Sequence, residues 1–273
     1  MPETLVMCTP EGFAVNYEIN PWMRHQIGHV SSELAAKQWH ALFDMLSVLA
    51  EVRLIPGDPA WPDLVFTANA GLPLVREKKI ILSNFRHAQR QGEKAINRAW
   101  FEAAGWTCID LPGSTVFEGA GDALFDAAGR LWVGGGPRSD ETTPANLARH
   151  ITAPILRLEL VDPRFYHLDT CFCPLPDGSA LYLPGAFDER ARDLLARNFG
   201  DQLIALTPEE GELFCANAVC VGRTVVMNKV TPRLRGVLEG RGYSLQETPL
   251  SEFMKSGGSA KCLTLSVDGW ANS

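Results

Sequence analysis

The chain lacks the features that would direct it to a membrane, to secretion or to nucleic acid. No apolar run approaches the length of about 18 residues that a membrane span needs, and the start, "MPETLVMCTPEGF", has no basic region before an apolar core. Positive charge is not in excess either, because 25 Lys and Arg are outnumbered by 32 Asp and Glu, for a net charge of −7. We therefore expect no membrane and no nucleic acid as partner, and the acidic balance suits a small cationic substrate.

The seven cysteines lack the pattern of a disulfide framework or a zinc site. Their number is odd, and Cys171, Cys173, Cys215 and Cys220 show no recognised zinc spacing. The glycine-rich stretch "GGGPRSD" (134–140) likewise lacks the Lys-Ser/Thr of a phosphate-binding loop. The sequence thus predicts reduced thiols in a cytoplasmic protein and favours core thiols over a metal site.

A recurring order of secondary structure is the main feature that the chain does have. Apolar or β-branched runs separated by short Gly- or Asp-containing turns predict four β-hairpins, at residues 70–85, 123–135, 171–185 and 217–230. Each is followed by a helical pattern and then by a short run typical of a strand. Threonine before proline marks two helix starts, so Thr143 and Thr231 are predicted N-caps. Successive units begin 45 to 53 residues apart, which is a spacing typical of repeat proteins.

The two chain ends supply the missing fifth unit. "LVMCTP" (5–10) and "CLTLSV" (262–267) can pair with each other, and a helical pattern at 31–50 leads to the strand-like "EVRLIPG" (51–57). In this arrangement Cys262 opens the last strand. Five ββαβ units closed by the termini would form a ring, which we favour over an ordinary mixed α/β sheet with incidental regularity.

The segments just before the hairpins carry the reactive side chains. An axis relating the units would bring these segments together, and with them Asp63, Asn69, Glu118, Asp122, His167, Asp169, Asn217 and Cys262. A thiolate is the reactive form of cysteine, and a nearby histidine can shuttle its proton. Carboxylates would raise the pKa of that thiol, but they match the planar N–H groups of a guanidinium. The set therefore predicts attack of a cysteine on a guanidinium carbon.

Each of these residues also has a structural alternative. A cysteine such as Cys262 is, without context, more often an inert core thiol, and His167 could equally make a structural hydrogen bond. Asp122 ranks below Glu118 and Asp169 as a functional carboxylate. Because several carboxylates would surround Cys262, we expect its thiol to ionise only when substrate binds.

Several segments, in order along nearly the whole chain, resemble the amidinotransferase/dimethylarginine dimethylaminohydrolase superfamily of guanidine-modifying enzymes. They are "PDLVFTANAGL", "RQGE", "FEGAGDALFD", "RFYHLDTCFCPL", "CANAV" and "EFMKSGGSAKCLTL". The resemblance implies an α/β fold of the pentein type, a five-bladed α/β propeller with pseudo-fivefold ββαβ repeats. It is closest to the catalytic domain of arginine dihydrolases that carry a further C-terminal domain. That further domain is not expected here, and residues 1–273 are predicted to form a single catalytic domain.

The resemblance also implies roles for individual residues. Cys262 would be the nucleophile and His167 the general acid and then base, while Glu118 and Asp169 would grip the guanidinium nitrogens. Substrate-binding roles are implied for Asn20, Asp63, Asn69, Arg90 and Arg138. Among these, the two arginines would hold the substrate α-carboxylate, and the two asparagines favour the dihydrolase-like members.

The resulting hypothesis is a cofactor-free cysteine hydrolase that cleaves guanidino C–N bonds through a covalent thiouronium intermediate. The favoured activity is that of an arginine dihydrolase, whose products are ornithine, ammonia and carbon dioxide. Dimethylarginine dimethylaminohydrolase, arginine deiminase, citrulline ureidase and amidinotransferase share the same Cys–His centre. A non-catalytic propeller that binds a partner would not need these side chains, and a papain-like protease would place its cysteine before its histidine. The sequence is compatible with a homo-oligomer.

Overall fold

A computed structural model describes residues 3–268. In chain order its strands are β1 (Thr4–Cys8), β2 (Glu51–Ile55), β3 (Gly71–Leu74), β4 (Lys79–Leu82), β5 (Thr107–Ile109), β6 (Ala123–Phe125), β7 (Leu131–Gly135), β8 (Ile155–Glu159), β9 (Phe172–Pro174), β10 (Ala180–Tyr182), β11 (Leu203–Ala205), β12 (Val219–Val221), β13 (Thr224–Met227), β14 (Ser244–Glu247) and β15 (Leu265–Asp268). Its α-helices are α1 (Ser32–Leu49), α2 (Ala88–Gln91), α3 (Glu93–Ala103), α4 (Thr143–Leu147), α5 (Glu189–Phe199), α6 (Pro208–Glu212), α7 (Pro232–Gly240) and α8 (Ser251–Met254).

The strands form five three-stranded sheets, and each sheet is one blade built from one predicted unit. In every blade the middle strand pairs antiparallel with one neighbour and parallel with the strand that follows the helix. All four internal hairpins, β3–β4, β6–β7, β9–β10 and β12–β13, occur where the turn residues predicted them. The pentein-type α/β propeller of five ββαβ repeats is therefore confirmed.

The two chain ends meet in the fifth blade, as the sequence predicted. Strand β15 pairs antiparallel with β1, for example Leu5 with Ser266, and β1 continues in parallel register with β2. The blade that carries Cys262 thus requires both ends of the chain, which contributes long-range contacts to the fold.

The helices cover the outer parts of the blades with their apolar faces inward. In α1, Ala35, Trp39, Leu42 and Leu46 are buried in one cluster, and Leu49 packs against it half-exposed. No helix within residues 3–268 combines the length and the apolar character required to cross a membrane.

One of the two predicted N-caps is correct. The side chain of Thr231 accepts a hydrogen bond from the backbone N–H of Leu234 and caps α7. The prediction for Thr143 was wrong, because the residue lies inside α4 and its hydroxyl donates to the carbonyl of Val116 instead.

The interior along the propeller axis changes character from one end to the other. A channel lined mostly by apolar side chains, among them Leu72, Phe125 and Phe172, runs between the innermost strands of the blades. At the other end, short 3₁₀ turns such as Gly119–Gly121 and Leu168–Thr170 lead into those strands and carry buried polar residues. The topology therefore gathers the reactive residues at one end of the axis.

Candidate active site

The polar ends of the blades enclose a narrow cavity of about 260 Å³, its mouth included. It is lined by Ile19, Asn20, Asp63, Phe66, Asn69, Arg90, Arg138, Tyr166, His167, Ser256, Gly258 and Cys262. Four of these residues, Ile19, Asn20, Arg138 and Tyr166, also line an outer cavity that contains Arg86 and His87. A small molecule would therefore enter past the outer cavity and end at the thiol.

Cys262 lies in a turn three residues before β15 and does not begin that strand, contrary to the prediction. The turn is closed by a hydrogen bond from the backbone N–H of Leu263 to the carbonyl of Ser259, and the backbone N–H of Cys262 donates to the side chain of Asn217. Because these bonds hold the backbone in a turn, the thiol points to the cavity and not into a sheet face.

The glycines before this cysteine allow close packing around it. Gly257 has a φ of +83°, a left-handed conformation that side chains rarely adopt. A Cβ on Gly258 would lie 2.4 Å from the ring of Phe66 and 3.2 Å from the Cβ of Cys262. Gly257 and Gly258 are therefore a steric requirement of the thiol's position.

The immediate neighbours of the sulfur are a carboxylate and an amide. Cys262 Sγ lies 3.5 and 3.6 Å from the two carboxylate oxygens of Asp169, and it accepts a hydrogen bond of 3.1 Å from Asn217 Nδ2. Burial, and then the carboxylate of Asp169, raises the pKa of the Cys262 thiol well above its ordinary value. Burial likewise raises the pKa of Asp169 to about 7. Both shifts favour the neutral forms of thiol and carboxyl in the free protein, and ionisation of Cys262 on substrate binding stays a prediction.

His167 is held by a second buried carboxylate. Its Nε2 lies 2.8 Å from Glu118 Oε2, which also accepts a hydrogen bond of 2.8 Å from Arg138 Nη1, while Glu118 Oε1 accepts from the backbone N–H of Arg86. Burial favours the neutral acid, but the guanidinium of Arg138 and the hydrogen bond from His167 together lower the pKa of Glu118 below its ordinary value. Both oxygens of this carboxylate already have protein partners, so its predicted grip on a guanidinium stays a prediction.

Asp63 presents a different carboxylate to the cavity. Its Oδ1 accepts a hydrogen bond from Ser256 Oγ and its Oδ2 accepts one from Tyr17 Oη, each at 2.9 Å. Within residues 3–268, no Lys or Arg side chain forms an ion pair with Asp63 or with Asp169. Among the described residues, two buried carboxylates near the cavity therefore have no direct ion pair, although Lys261 acts on Asp169 from a greater distance.

The two predicted arginines lie in the site, but both already form ion pairs with buried glutamates. Arg90 donates to both carboxylate oxygens of Glu93 at 2.8 Å and to Asn69 Oδ1 at 3.0 Å. Arg138 pairs with Glu118 and donates to the carbonyl of Ile19. Both guanidinium groups still border the cavity, so their role towards a substrate carboxylate stays a prediction.

The predicted asparagines both line the cavity as well. Asn69 donates through Nδ2 to the carbonyl of Glu118, so it joins the arginine and histidine sides of the site. Asn20 caps a short 3₁₀ helix, Pro21–Met23, and donates to the carbonyl of Ser256. It thereby ties the segment over the cavity to the loop that precedes Cys262.

Some site residues were missed from the sequence, and one candidate has a structural role. Tyr17 and Ser256 bind Asp63, yet a tyrosine or a serine outside a recognised motif gave no signal for this contact. Asp122 accepts hydrogen bonds from the backbone of Leu168 and from Ser139, which fixes the turn that carries His167. Within residues 3–268, no group of three or more His, Cys, Asp and Glu side chains could hold a metal ion.

Comparison with known proteins assigns this chain to a family. The sequence model of the eukaryotic N,N dimethylarginine dimethylhydrolases matches residues 9–268. The bifunctional arginine dihydrolase/ornithine cyclodeaminase AgrE of Nostoc is 46% identical over 264 residues; the match covers 96% of this chain but 37% of that protein. The chain thus spans little more than a third of that relative's length.

Two further relatives match over most of their own length. The N(G),N(G)-dimethylarginine dimethylaminohydrolase of Mycobacterium tuberculosis is 35% identical, with 96% of this chain and 84% of that protein covered. The crystal structure of the substrate-bound N-terminal domain of ArgZ, an arginine dihydrolase from Cyanobacteria, is 43% identical, with a TM-score of 0.95 over 97% of this chain and 98% of that chain. The chain therefore belongs to the N,N-dimethylarginine dimethylhydrolase family of the guanidine-modifying superfamily.

Proposed function

We propose that the protein is a cofactor-free arginine dihydrolase in which Cys262 is the nucleophile. The proposal is carried by one observation: the thiol borders a narrow cavity beside two buried carboxylates, Asp63 and Asp169, that have no direct ion pair within residues 3–268. A guanidinium supplies the missing charge and the matching N–H geometry. Similarity to AgrE and to the substrate-bound N-terminal domain of ArgZ supports arginine as the substrate.

The first half of the reaction places the substrate on sulfur. When the guanidinium binds, its charge lowers the pKa of the Cys262 thiol, and the thiolate adds to the guanidinium carbon. His167 donates a proton to the departing nitrogen. Ammonia leaves, and a thiouronium remains on the cysteine. The carboxylate of Glu118, 2.8 Å from Nε2 of His167, keeps that ring oriented.

The second half removes the product from sulfur. His167 takes a proton from water, whose oxygen adds to the thiouronium carbon, and collapse of the adduct expels the thiolate. One round would yield citrulline and ammonia. A dihydrolase hydrolyses the remaining ureido group as well, so that ornithine, a second ammonia and carbon dioxide are formed.

The remaining predicted residues would position the substrate. Asp63 and Asp169 would bind the guanidinium nitrogens, and Arg90 and Arg138, which border the cavity, would attract the α-carboxylate. Asn69 and Asn20 support the dihydrolase outcome through the family resemblance.

The proposal also includes a single catalytic domain, residues 1–273, and a cytoplasmic location. The location is supported by seven free thiols.

Dimethylarginine dimethylaminohydrolase is the second candidate. The match to that family along residues 9–268 and the relative from M. tuberculosis, most of whose length is covered, favour it. Its substrate carries two methyl groups on the guanidinium, which require additional room next to the thiol. The cavity is narrow there, and we therefore rank this activity second.

The test is a product assay by mass spectrometry without added metal. Purified protein and its Cys262→Ser variant are incubated separately with arginine, asymmetric dimethylarginine and citrulline. We expect ornithine and ammonia from arginine, with the variant slower by at least about 10⁴-fold because the nucleophile is lost. Citrulline as the end product would establish a deiminase, and dimethylamine from the methylated substrate would establish the second candidate. Absence of turnover with all three compounds would overturn the proposal.

A further inference from the structure

Asn217 is the most extensively bonded side chain around the reactive sulfur, and the proposed reaction has not used it. The residue is fully buried in the connection between α6 and β12. Its Nδ2 donates to Cys262 Sγ at 3.1 Å and to the carbonyl of Asp169 at 3.0 Å. Its Oδ1 accepts from the backbone N–H groups of Ser259 and Cys262, each at 3.1 Å.

The two halves of this amide do different things. The oxygen holds the turn that carries the cysteine, which is a structural task. The nitrogen is aimed at the sulfur from the blade next to Cys262, and the backbone N–H of Ser259 is a second group that favours the thiolate. The carboxylate of Asp169 also contacts the sulfur and repels negative charge there.

A buried thiolate needs a donor, because burial without one strongly disfavours the charged form. Hydrogen bonds to an ionised group are shorter and stronger than those between neutral groups. The bond from Asn217 therefore strengthens when the thiol loses its proton. It strengthens again when the thiolate is expelled from the second tetrahedral adduct.

We infer that Asn217 is a catalytic residue whose side-chain amide stabilises negative charge on the sulfur of Cys262 during the reaction. The inference rests on the proposed role of Cys262 as nucleophile. The amide neither gains nor loses a proton. The thiol proton passes to solvent as the guanidinium binds, the sulfur lone pair then forms the S–C bond, and the electron pair of the C=N π bond moves onto the guanidinium nitrogen. Removal of the donor should affect the chemical step more than substrate binding.

The test compares Asn217→Asp with the wild-type protein and with Asn146→Asp. The Asn217→Asp variant retains an oxygen for the two turn amides, loses the donor to sulfur and adds a carboxylate next to the sulfur. Asn217→Ser, which adds no charge, is therefore measured as well. Asn146 is a buried asparagine in α4 whose amide bonds Thr115 and Thr142 and which does not line the cavity, so its variant controls for a buried amide-to-carboxylate change. Asn217→Ser also serves as the second variant should Asn217→Asp fold poorly.

The primary readout is the pH dependence of Cys262 alkylation by iodoacetamide, followed on the cysteine's own peptide by mass spectrometry. We expect Asn217→Asp to slow alkylation at a given pH by about 10-fold, which corresponds to a rise of about one unit in the thiol pKa. We also expect kcat for arginine to fall by about 100-fold, with KM changed much less. Asn146→Asp should leave the alkylation profile and kcat unchanged.

The outcomes separate the inference from the proposed function. An unshifted alkylation profile in a folded Asn217→Asp or Asn217→Ser protein would overturn the inference, whatever the substrate is. A loss of activity that follows KM or thermal stability alone, with kcat retained, would reduce Asn217 to a structural residue. A shifted profile in a protein that does not turn over arginine would support the inference while refuting the proposed substrate.

Discussion

Glu118 and Asp169 both lie at the starts of adjacent blades, yet they differ in their electrostatic partners. Both are almost fully buried. Glu118 has a guanidinium and an imidazole within 2.8 Å, and its pKa is lowered. Asp169 has a thiol and an amide as close neighbours, and burial raises its pKa to about 7.

The difference shows that burial alone does not decide the charge of a carboxylate in this site. A cation already present in the fold keeps Glu118 ionised, so the histidine side of the site is charged before substrate arrives. The cysteine side holds two groups, Asp169 and Cys262, that both resist ionisation until a cation is bound. A guanidinium would therefore act as the missing counterpart of Arg138 on that side.

The largest effect is expected from Glu118→Gln. This change leaves the guanidinium of Arg138 buried without its carboxylate, and we expect a loss of about 3–5 kcal/mol in the free energy of unfolding. Chemical denaturation at neutral pH measures it. The control is Glu102→Gln, which removes an exposed partner of Arg98 and should cost less than about 1 kcal/mol. Equal losses of unfolding free energy in the two variants would contradict the conclusion that Arg138 keeps Glu118 ionised.

Whereas Glu118→Gln should destabilise the protein, Asp169→Asn should stabilise it above neutral pH. Since the folded-state pKa of Asp169, about 7, lies above its ordinary value of 3.8, its contribution to stability is present at low pH and is lost as the pH rises through about 7. The variant should therefore melt higher than the wild-type protein at pH 8, by about 5 °C, with a smaller difference at pH 5. Melting curves at the two pH values measure this.

The same variant should also separate stability from catalysis. Because Asp169 is proposed to bind the guanidinium, its replacement is expected to lower kcat/KM for arginine by about 100-fold. The negative charge that opposes ionisation of Cys262 is lost at the same time. An Asp169→Asn protein that is less stable than wild type at pH 8 would show that other groups in the fold already stabilise the ionised carboxylate of Asp169.

The smallest expected effect is the release of protons when arginine binds. If a bound guanidinium ionises Asp169, then arginine binding to the inactive Cys262→Ser variant near pH 6.5 should release a fraction of a proton, up to about one. Calorimetry in buffers of different ionisation enthalpy measures the number. The double variant Cys262→Ser/Asp169→Asn is the control and should release less. Equal release from both proteins would assign the titration to another group.

Much of the fold could be predicted because its signals are local. Turn residues located the four internal hairpins, and apolar spacing located α1 and the pairing of the two chain ends. The error at Thr143 arose because its hydroxyl found a partner in another segment, the carbonyl of Val116. The strand was assigned to begin at Cys262 because the apolar run begins there, but hydrogen bonds to a neighbouring blade hold that residue in a turn.

The sequence predicted which residues lie in the site more fully than it predicted the hydrogen bonds between them. A repeat that closes into a ring brings its unit starts together, and this alone predicted that Cys262, His167, Glu118 and Asp169 would be neighbours. The sequence did not indicate which donor each carboxylate receives. Tyr17 and Ser256, which bind Asp63, come from segments with no recognisable motif.

By itself, the sequence determined the five repeated units, their closure and the set of reactive side chains, because hydrophobic period and turn chemistry act within a few residues. Only the tertiary structure decided the charge state of each group. That decision depends on burial and on partners that lie far apart in the chain, such as Arg138 for Glu118 and Asn217 for Cys262. Electrostatic energies in a protein interior vary steeply with distance and exposure, and neither quantity can be read from residue order.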